Sequence, residues 1–588
     1  MDQILAPARE GLERLLALLE AHPQVGAWYP ALVRFLFPVL ALLILVRAIR
    51  GLLRVPHAAE CWGQLALPGG GSIPICHWEN IVGRAPSADI RLDLPTVSRQ
   101  HAALLRDGRG EWRVADLGSK GGTLVNGAPV REPTPIRMGD SLSVGGVELL
   151  FLPLSREEEE ALAARRKAER PLSMWPSLLW LTLFQALAAL QLILSREEPD
   201  VVCPLVFLAL SAVMWLYCLV LRGLGTRGFE METIAFFLST LSLAITGSSA
   251  PGAMVKQLVA IVLGLVLMVT LGVWMRDTAR IQKLRWLMAA LAVGLLSVTL
   301  VIGRTKFGAA NWIILGPFSF QPSEVAKIFY IFAGAAGLER LFRRRNLGLF
   351  MVMTGVCLLC LALMSDFGTA CIFFATFLVI AYLRSGDFAT LSLICGGAIF
   401  AGVLVLNFKP YILRRFASWG HAWEAASTTG YQQTRAMSAA ASGGLVGVGA
   451  GNGWLCRVPA ADTDLVFGML CEEWGLLIAV LAVLSIITLA LFAARACRVS
   501  RSAFPTIAAC AAGSLLVVQT GLNVFGAVDL LPLTGVTFPF LSNGGSAMMA
   551  SWGLLAFLKA TDTREGASFA IRKSKKSQGK EASGHEKA

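Results

Sequence analysis

Thirteen stretches of this chain are apolar over lengths that can cross a bilayer, near residues 30–49, 175–194, 201–221, 231–248, 253–275, 285–302, 324–341, 348–365, 370–384, 389–408, 465–492, 505–527 and 546–560. A segment in hydrocarbon must satisfy its own backbone polar groups, and a helix does so internally. The pattern predicts a polytopic α-helical membrane protein. Only 15% of the residues are charged, against about 25% in soluble domains. The first run is about twenty residues long, begins late and is followed by no small-residue cleavage pattern, so it is expected to be a span and not a signal peptide.

Basic residues predict the orientation. Arg47, Arg50 and Arg54 follow the first run, and Arg165, Arg166, Lys167 and Arg170 precede the second. Further clusters are Arg276, Arg280, Lys283 and Arg285; Arg340, Arg343, Arg344 and Arg345; Arg495, Arg498 and Arg501; and, in the tail, Arg572, Lys573, Lys575 and Lys576. With thirteen spans all of these fall on one side, which the Arg and Lys excess marks as cytoplasmic. The amino terminus and residues 303–323, 409–464 and 528–545 fall on the other. The net charge of +13 then reads as an orientation signal, and no nucleic-acid partner is expected. Of the twelve cysteines only Cys456 lies in an outer loop, so no disulfide framework is expected. Cys357 and Cys360 sit inside an apolar run without a second pair and read as buried apolar side chains, not zinc ligands.

Where a polar loop enters the run at 465–492, the chain reads Pro459-Ala460-Ala461-Asp462-Thr463-Asp464. Carboxylates at a membrane boundary are costly to desolvate and mark ion, proton or substrate chemistry. The competing reading is a helix cap, with Asp462 or Thr463 accepting from first-turn amides.

Residues 58–154 break the apolar pattern. Short alternating runs, with Asp107-Gly108 and Asn126-Gly127 as hairpin turns, predict an all-β unit, and the charged stretch 155–170 predicts a helical linker. Gly83-Arg84, Ser98-Arg99-Gln100-His101, Asp116-Leu117-Gly118-Ser119, Gly122-Thr123 and Val125-Asn126-Gly127 occur in the order seen in forkhead-associated (FHA) domains, which this unit resembles over about ninety residues. The resemblance implies a phosphothreonine-binding sandwich. Arg84, Ser98 and Arg99 then fall at phosphate-binding positions, His101 at a loop-bracing position and Asn126 at a turn. Gly121 replaces the family's Asn that grips the peptide backbone.

Residues 231–560 carry four polar islands on the outer side. One runs from Asn311-Trp312 to Gln321-Pro322-Ser323-Glu324-Val325-Ala326-Lys327, where Ser323 is expected to cap a helix and Glu324 and Lys327 share one face. The others are Asp366-Phe367-Gly368-Thr369, the Gly-rich 442–453 loop, and Pro532 to Ser546. In this order they resemble the SEDS family (shape, elongation, division and sporulation) of RodA-, FtsW- and SpoVE-like proteins. That resemblance covers about residues 230–560 and implies a ten-span helical core. It implies a peptidoglycan glycosyltransferase that polymerises lipid II beside a class B penicillin-binding protein in the bacterial cell membrane. The expected organisation is an outer segment with the first span (1–57), a cytoplasmic FHA domain (58–154), a linker (155–174), an extra hairpin (175–229), the core (230–560) and a basic tail (561–588).

The same resemblance places the family's essential loop aspartate at Asp464, within Asp462-Thr463-Asp464-Leu465-Val466-Phe467. A carboxylate there can act as general base on a sugar hydroxyl, while cations stabilise the leaving diphosphate. The outer loop supplies Lys409, Arg414, Arg415, Arg435 and Arg457. Glu324, Lys327, Asp366, Arg435, Asp462 and Glu473 are the candidate substrate contacts. Asp462 and Asp464 could share a divalent cation, magnesium or manganese; no other cofactor is implied. Asp462, Arg435, Asn311 and Asn543 stand where many members have His, Gln, Arg and Tyr. Two other readings stay open: a flippase or transporter of lipid-linked precursors, which would place ionisable groups near mid-membrane between repeats, and a phosphopeptide-binding membrane scaffold.

Overall fold

The computed structural model describes residues 9–571 except 12, 15–16, 18–20, 22, 55–59, 87, 108–109, 169, 197–199, 307–308, 316–317, 339–343, 386–387, 409–418 and 498. The tail clusters, Arg340, Arg343, Arg498, Lys409, Arg414 and Arg415 therefore lie outside the described residues. Each of the thirteen apolar stretches coincides with a helix. Helix α1 is Pro23–Ile49, running on into a π-helical turn at Arg50–Arg54. After the β-domain and the linker helix α2 (Arg156–Ala168) come α3 (Trp175–Leu194) and α4 (Val202–Gly223). The core follows as α5 (Glu230–Ser249), α6 (Met254–Trp274), α7 (Thr278–Ile302), α8 (Pro322–Leu338), α9 (Arg344–Leu363), α10 (Phe367–Ser385) and α11 (Phe388–Phe408). A loop helix α12 (Tyr431–Gly443) precedes α13 (Val466–Ala496), α14 (Ala503–Ala527) and α15 (Gly545–Ala560). Among the described residues nine helices are at least 18 residues long and apolar enough to cross a membrane.

Burial orders the bundle. Every residue of α5 from Glu230 to Gly247 is buried, which makes it the central helix, and α15 lies along α6 and α8 beside it. Their close approach rests on Gly264 and Gly553, where a Cβ would meet Trp552 and Ile328. The helices before the core are not peripheral. Phe37 of α1 and Phe184 of α3 sit 4.8 and 5.7 Å from the Trp474 ring of α13, forming one aromatic cluster.

The 58–154 region is a sandwich of two sheets. One has the order β2 (Ser72–Ile75), β1 (Gly63–Ala66), β11 (Val147–Leu152), β10 (Ser141–Val144), β7 (Thr123–Val125), β8 (Ala128–Pro129). The other has β4 (Ile90–Arg91), β3 (Glu79–Gly83), β5 (Ala102–Arg106), β6 (Trp112–Asp116), β9 (Thr134–Ile136). Inward Leu65, Ile75, Val82, Leu104, Val114, Leu142 and Phe151 fill the space between them, as period-two alternation requires. Asn126 (φ 50°) and Gly127 (φ 81°) form the tight turn between β7 and β8. Of the Asp107-Gly108 turn, Gly108 lies outside the described residues; in the β5–β6 connection Asp107 Oδ1 accepts from Glu111 N at 2.9 Å and Gly110 takes a positive φ.

Two features around residues 303–323 differ from the sequence reading. The 303–323 segment folds as a three-stranded antiparallel sheet, β12 (Arg304–Lys306), β13 (Ala309–Leu315) and β14 (Phe318–Phe320). Ser323 does not cap α8: it is the second helical residue, behind Pro322, and its Oγ is buried without a hydrogen bond. Proline at the first helical position already needs no N–H partner.

Candidate active site and phosphate-binding edge

The 459–465 loop is built on a strained residue. Ala460 has φ 59°, a conformation that costs an L-residue about 1–2 kcal/mol, and its carbonyl collects the amides of Thr463, Asp464 and Leu465. Ser365, Asp529 and Phe540 are likewise left-handed, so four such residues lie in loops between the helices, and strained backbone of this kind clusters at functional sites. Neither Asp462 nor Thr463 caps α13: its N-cap is Leu465, without a side-chain bond. Thr463 Oγ1 donates to Ala460 O at 3.2 Å. Asp462 Oδ2 accepts from Ser249 Oγ at 3.1 Å and from Asn543 Nδ2 at 2.8 Å.

The islands at 311–327 and 366–369 close on the same place through residues 533–546. Asn543 N donates to Asp462 O (2.9 Å) and Ser542 Oγ to Thr463 O (2.7 Å). Asn523 Nδ2 of α14 donates to Asp464 O (3.0 Å) and Val536 O (2.8 Å). The Asp464 carboxylate lies against Gly535, where a Cβ would come 3.3 Å from Oδ2. Lys327 Nζ, 1% exposed, donates to Glu324 Oε1 (2.8 Å) and Gln519 Oε1 (3.0 Å), and Gln519 Nε2 donates to Thr537 O and Oγ1 (2.9 and 3.0 Å). Asp366 accepts from Asn311 Nδ2 (2.7 Å) and caps α10 through Thr369 N (3.2 Å), and its neighbour Gly368 abuts Thr534 and Val536.

Glu473 belongs to an adjoining cluster. Its Oε2 accepts from Ser248 Oγ at 2.7 Å, so neighbouring serines at the end of α5 hold Glu473 and Asp462. At Gly475 (φ 85°) α13 breaks. Leu476 N and Leu477 N there donate to Gly444 O and Leu445 O, and Gly449 N donates back to Glu473 O. The Gly-rich loop thus replaces the ladder bonds that the break removes. Arg435 is exposed on α12, 5.3 Å from the Tyr431 ring, and Arg457 is exposed on a 3₁₀ turn. The described residues hold no group of three or more His, Cys, Asp or Glu side chains able to cage a metal, and the Asp462 carboxylate is engaged by Ser249 and Asn543.

Sequence reasoning missed several residues that organise the site. Glu472, 1% exposed, accepts from Trp454 N (2.9 Å) and Leu455 N (3.0 Å), fixing the turn before the aspartates. Asp529 accepts from Gly420 N, Ala422 N and Gln433 Nε2. Gln519 and Asn523 were detectable as amides spaced i, i+4 in an otherwise apolar helix.

At the exposed edge of the sandwich, Arg84 and Arg99 are exposed, and Ser98 Oγ accepts from Lys120 N at 3.1 Å. His101 is fully buried: Nδ1 accepts from Ser98 N (3.1 Å) and Nε2 donates to Gly122 O (2.9 Å), bridging the two loops. Asp116 anchors the second loop through Ser119 Oγ, Thr123 Oγ1, Ser119 N and Gly118 N. Partial burial would raise its pKa, but these four bonds together hold it below the usual carboxylate value. Asn126 Oδ1 accepts from Ser141 N and Nδ2 donates to Asp140. A Cβ at Gly121 would come 2.9 Å from Gly145 Cα and 3.0 Å from Thr96 O, so a larger residue there would make the facing backbone shift.

Residues 214–565 match the model of the FtsW/RodA/SpoVE cell cycle proteins, and residues 80–145 match that of the FHA domain. The chain is 32% identical over 321 residues to a probable peptidoglycan glycosyltransferase FtsW of Nitrosococcus halophilus, covering 52% of this chain and 82% of that protein. Among solved structures it is similar to a chain of a peptidoglycan synthase complex that coordinates polymerization and crosslinking (26% identity, TM-score 0.49, 57% of this chain and 98% of that one). It is also similar to a domain studied for phosphothreonine-dependent FHA interactions (32% identity, TM-score 0.15, 16% and 98%).

Proposed function

The chain belongs to the FtsW/RodA/SpoVE family of cell cycle proteins, and from that premise we propose that it is a peptidoglycan glycosyltransferase with a phosphothreonine-binding FHA domain. The observation that carries the reading is the Asp464 loop, stitched by Asn523, Ser542 and Asn543 to the segment that also receives the Lys327 and Asp366 islands. Asp464 takes the proton of the attacking sugar hydroxyl of one lipid II, and that oxygen then bonds the anomeric carbon of another as the lipid diphosphate leaves. Lys327 is committed to Glu324 and Gln519, so it holds the site together, and the exposed Arg435 and Arg457 meet the diphosphate. Asp462 and Asp366 shape the substrate loops through their amide partners, and Glu473 sets the break in α13. A class B penicillin-binding protein crosslinks the product. The membrane is a bacterial cell membrane, with the basic clusters and the FHA domain on the cytoplasmic side, where a phosphothreonine protein made by a Ser/Thr kinase meets Arg84, Ser98 and Arg99. Since Gly121 offers no side chain to a peptide backbone, affinity is expected below that of Asn-bearing members.

The test is glycan synthesis from lipid II by the purified full chain, with and without a penicillin-binding partner. Asp464→Asn is expected to lower the rate about 10²–10⁴-fold, as for a lost general base, with normal expression. Wild-type rate and product length in Asp464→Asn would sink the assignment.

A further inference from the structure

We propose that Glu79 of the FHA domain is a positioning residue for the polymerisation site on the far side of the membrane domain, acting through α14; the inference rests on the glycosyltransferase reading above. The FHA domain is docked on the connection between α13 and α14. Trp78 N donates to Arg501 O (2.7 Å) and His77 Nδ1 lies 2.8 Å from Ser500 O. Arg501 pairs with Glu60, and the Arg106 and Arg501 guanidinia lie 4.0 and 5.7 Å from the Trp62 ring. At the centre Glu79 accepts from Ser502 Oγ at 2.9 Å and from Ala503 N at 2.8 Å. Ala503 is the first residue of α14, and Ser502 at its N-cap makes no side-chain cap bond of its own. A carboxylate borrowed from a residue 424 positions earlier thus satisfies an orphan amide and complements the helix dipole.

The other half of the same helix holds the site. Gln519 fixes Lys327 and Thr537, and Asn523 fixes Asp464 O and Val536 O. Twenty residues separate Ala503 from Asn523, about 30 Å of helix, so a tilt or fraying at the FHA end moves both amides against the 533–543 segment. The docked end and the phosphate edge are opposite ends of the same strands. Glu79 opens β3 and Gly83 closes it just before Arg84; His101 precedes β5 and Arg106 closes it. Five residues of strand put those ends about 15 Å apart, so a phosphoprotein can occupy Arg84 while Glu79 stays on α14.

The experiment compares the full-length wild type with Glu79→Ala and Glu79→Gln in lipid nanodiscs, by hydrogen exchange and by initial rates against lipid II. Glu79→Ala is expected to speed exchange about fivefold at 459–465 and 533–543, the equivalent of ~1 kcal/mol in the opening equilibrium, while the α6–α15 contact keeps wild-type protection. Its kcat falls several-fold with KM unchanged. Glu79→Gln keeps an acceptor for Ala503 N and recovers most of both effects. Loosening confined to the first turn of α14, with both outer loops and kcat as in wild type, would make Glu79 a local cap and overturn the proposal. Should the wild type itself make no glycan, the polymerase reading fails, and the exchange at 459–465 and 533–543 still decides the coupling. Should Glu79→Ala not fold, Ser502→Ala, which removes one of the two donors, takes its place under the same two outcomes.

Discussion

At the scale of single residues, the loop site is held by side chains whose polar groups are committed to one another. Lys327 and Glu324 are both buried, with Gln519 as third member. Removing one partner of a buried pair strands the other charge and costs about 3–5 kcal/mol, whereas removing both with apolar replacements can be near neutral. Lys327→Met and Glu324→Leu alone are therefore expected to lower the melting temperature more than the double variant, measured on the purified chain. A double variant less stable than both singles would contradict the pairing. Gly535 makes a second case. Its φ of 70° and the nearness of Asp464 Oδ2 mean that Gly535→Ala both strains the backbone and crowds the carboxylate. Its kcat should drop at least tenfold in the lipid II assay, with expression retained.

At the scale of elements, α13 is a helix whose ladder is cut at Gly475 and repaired by the Gly-rich loop. A Cβ on Gly475 would run into Leu445 O, and one on Gly447 into Glu473 O. Both glycines have positive φ, so Gly475→Ala meets clash and strain together and is expected to destabilise the part of α13 before the break, read as faster hydrogen exchange at 466–474. The FHA loops give a pH prediction. Hydrogen bonds from Asn126 and Arg137 N lower the Asp140 pKa, and Asp116 is lowered as described. A depressed carboxylate stabilises the fold above its unfolded pKa of about 4, and that contribution is lost as pH falls through the lower folded value. Exchange protection of residues 116–146 in the full chain should hold from pH 7 to about 5 and weaken below 4. Unchanged protection at pH 3 would show that these bonds do not matter to the loops.

At the scale of the whole molecule, the added helices, the core and the segment after α15 are locked by buried charges. Arg564 pairs with Glu230 and Asp562 and donates to Gly51 O; Lys559 pairs with Glu232, which also accepts from Tyr217 Oη. These groups tie α1, α4, α5 and the end of α15 at the side where the FHA domain docks. Glu232→Leu should therefore lower yield and melting temperature far more than Glu232→Leu combined with Lys559→Met, because only the single change leaves a buried unpaired ammonium.

The sequence by itself determined the membrane class, the thirteen helices and the all-β insert, because apolar length and period-two alternation are local properties that burial forces on the chain. Charge beside apolar runs also picked out Asp462, Asp464 and Lys327, and the resemblance to FHA domains picked out Arg84, Ser98, Arg99 and His101. Only the tertiary structure decided that Asp462 faces Ser249 and Asn543 and caps no helix, that Ser323 is not a cap, and that the 303–323 loop is a sheet. It alone revealed Glu472, Gln519 and Asn523 as the residues that organise the loops, and Glu79 as the cap of a helix 424 residues away. The reason is the same in each case. A hydrogen bond between groups distant in sequence leaves no periodic trace, and which partner satisfies a buried polar atom is fixed only when the surrounding helices have packed.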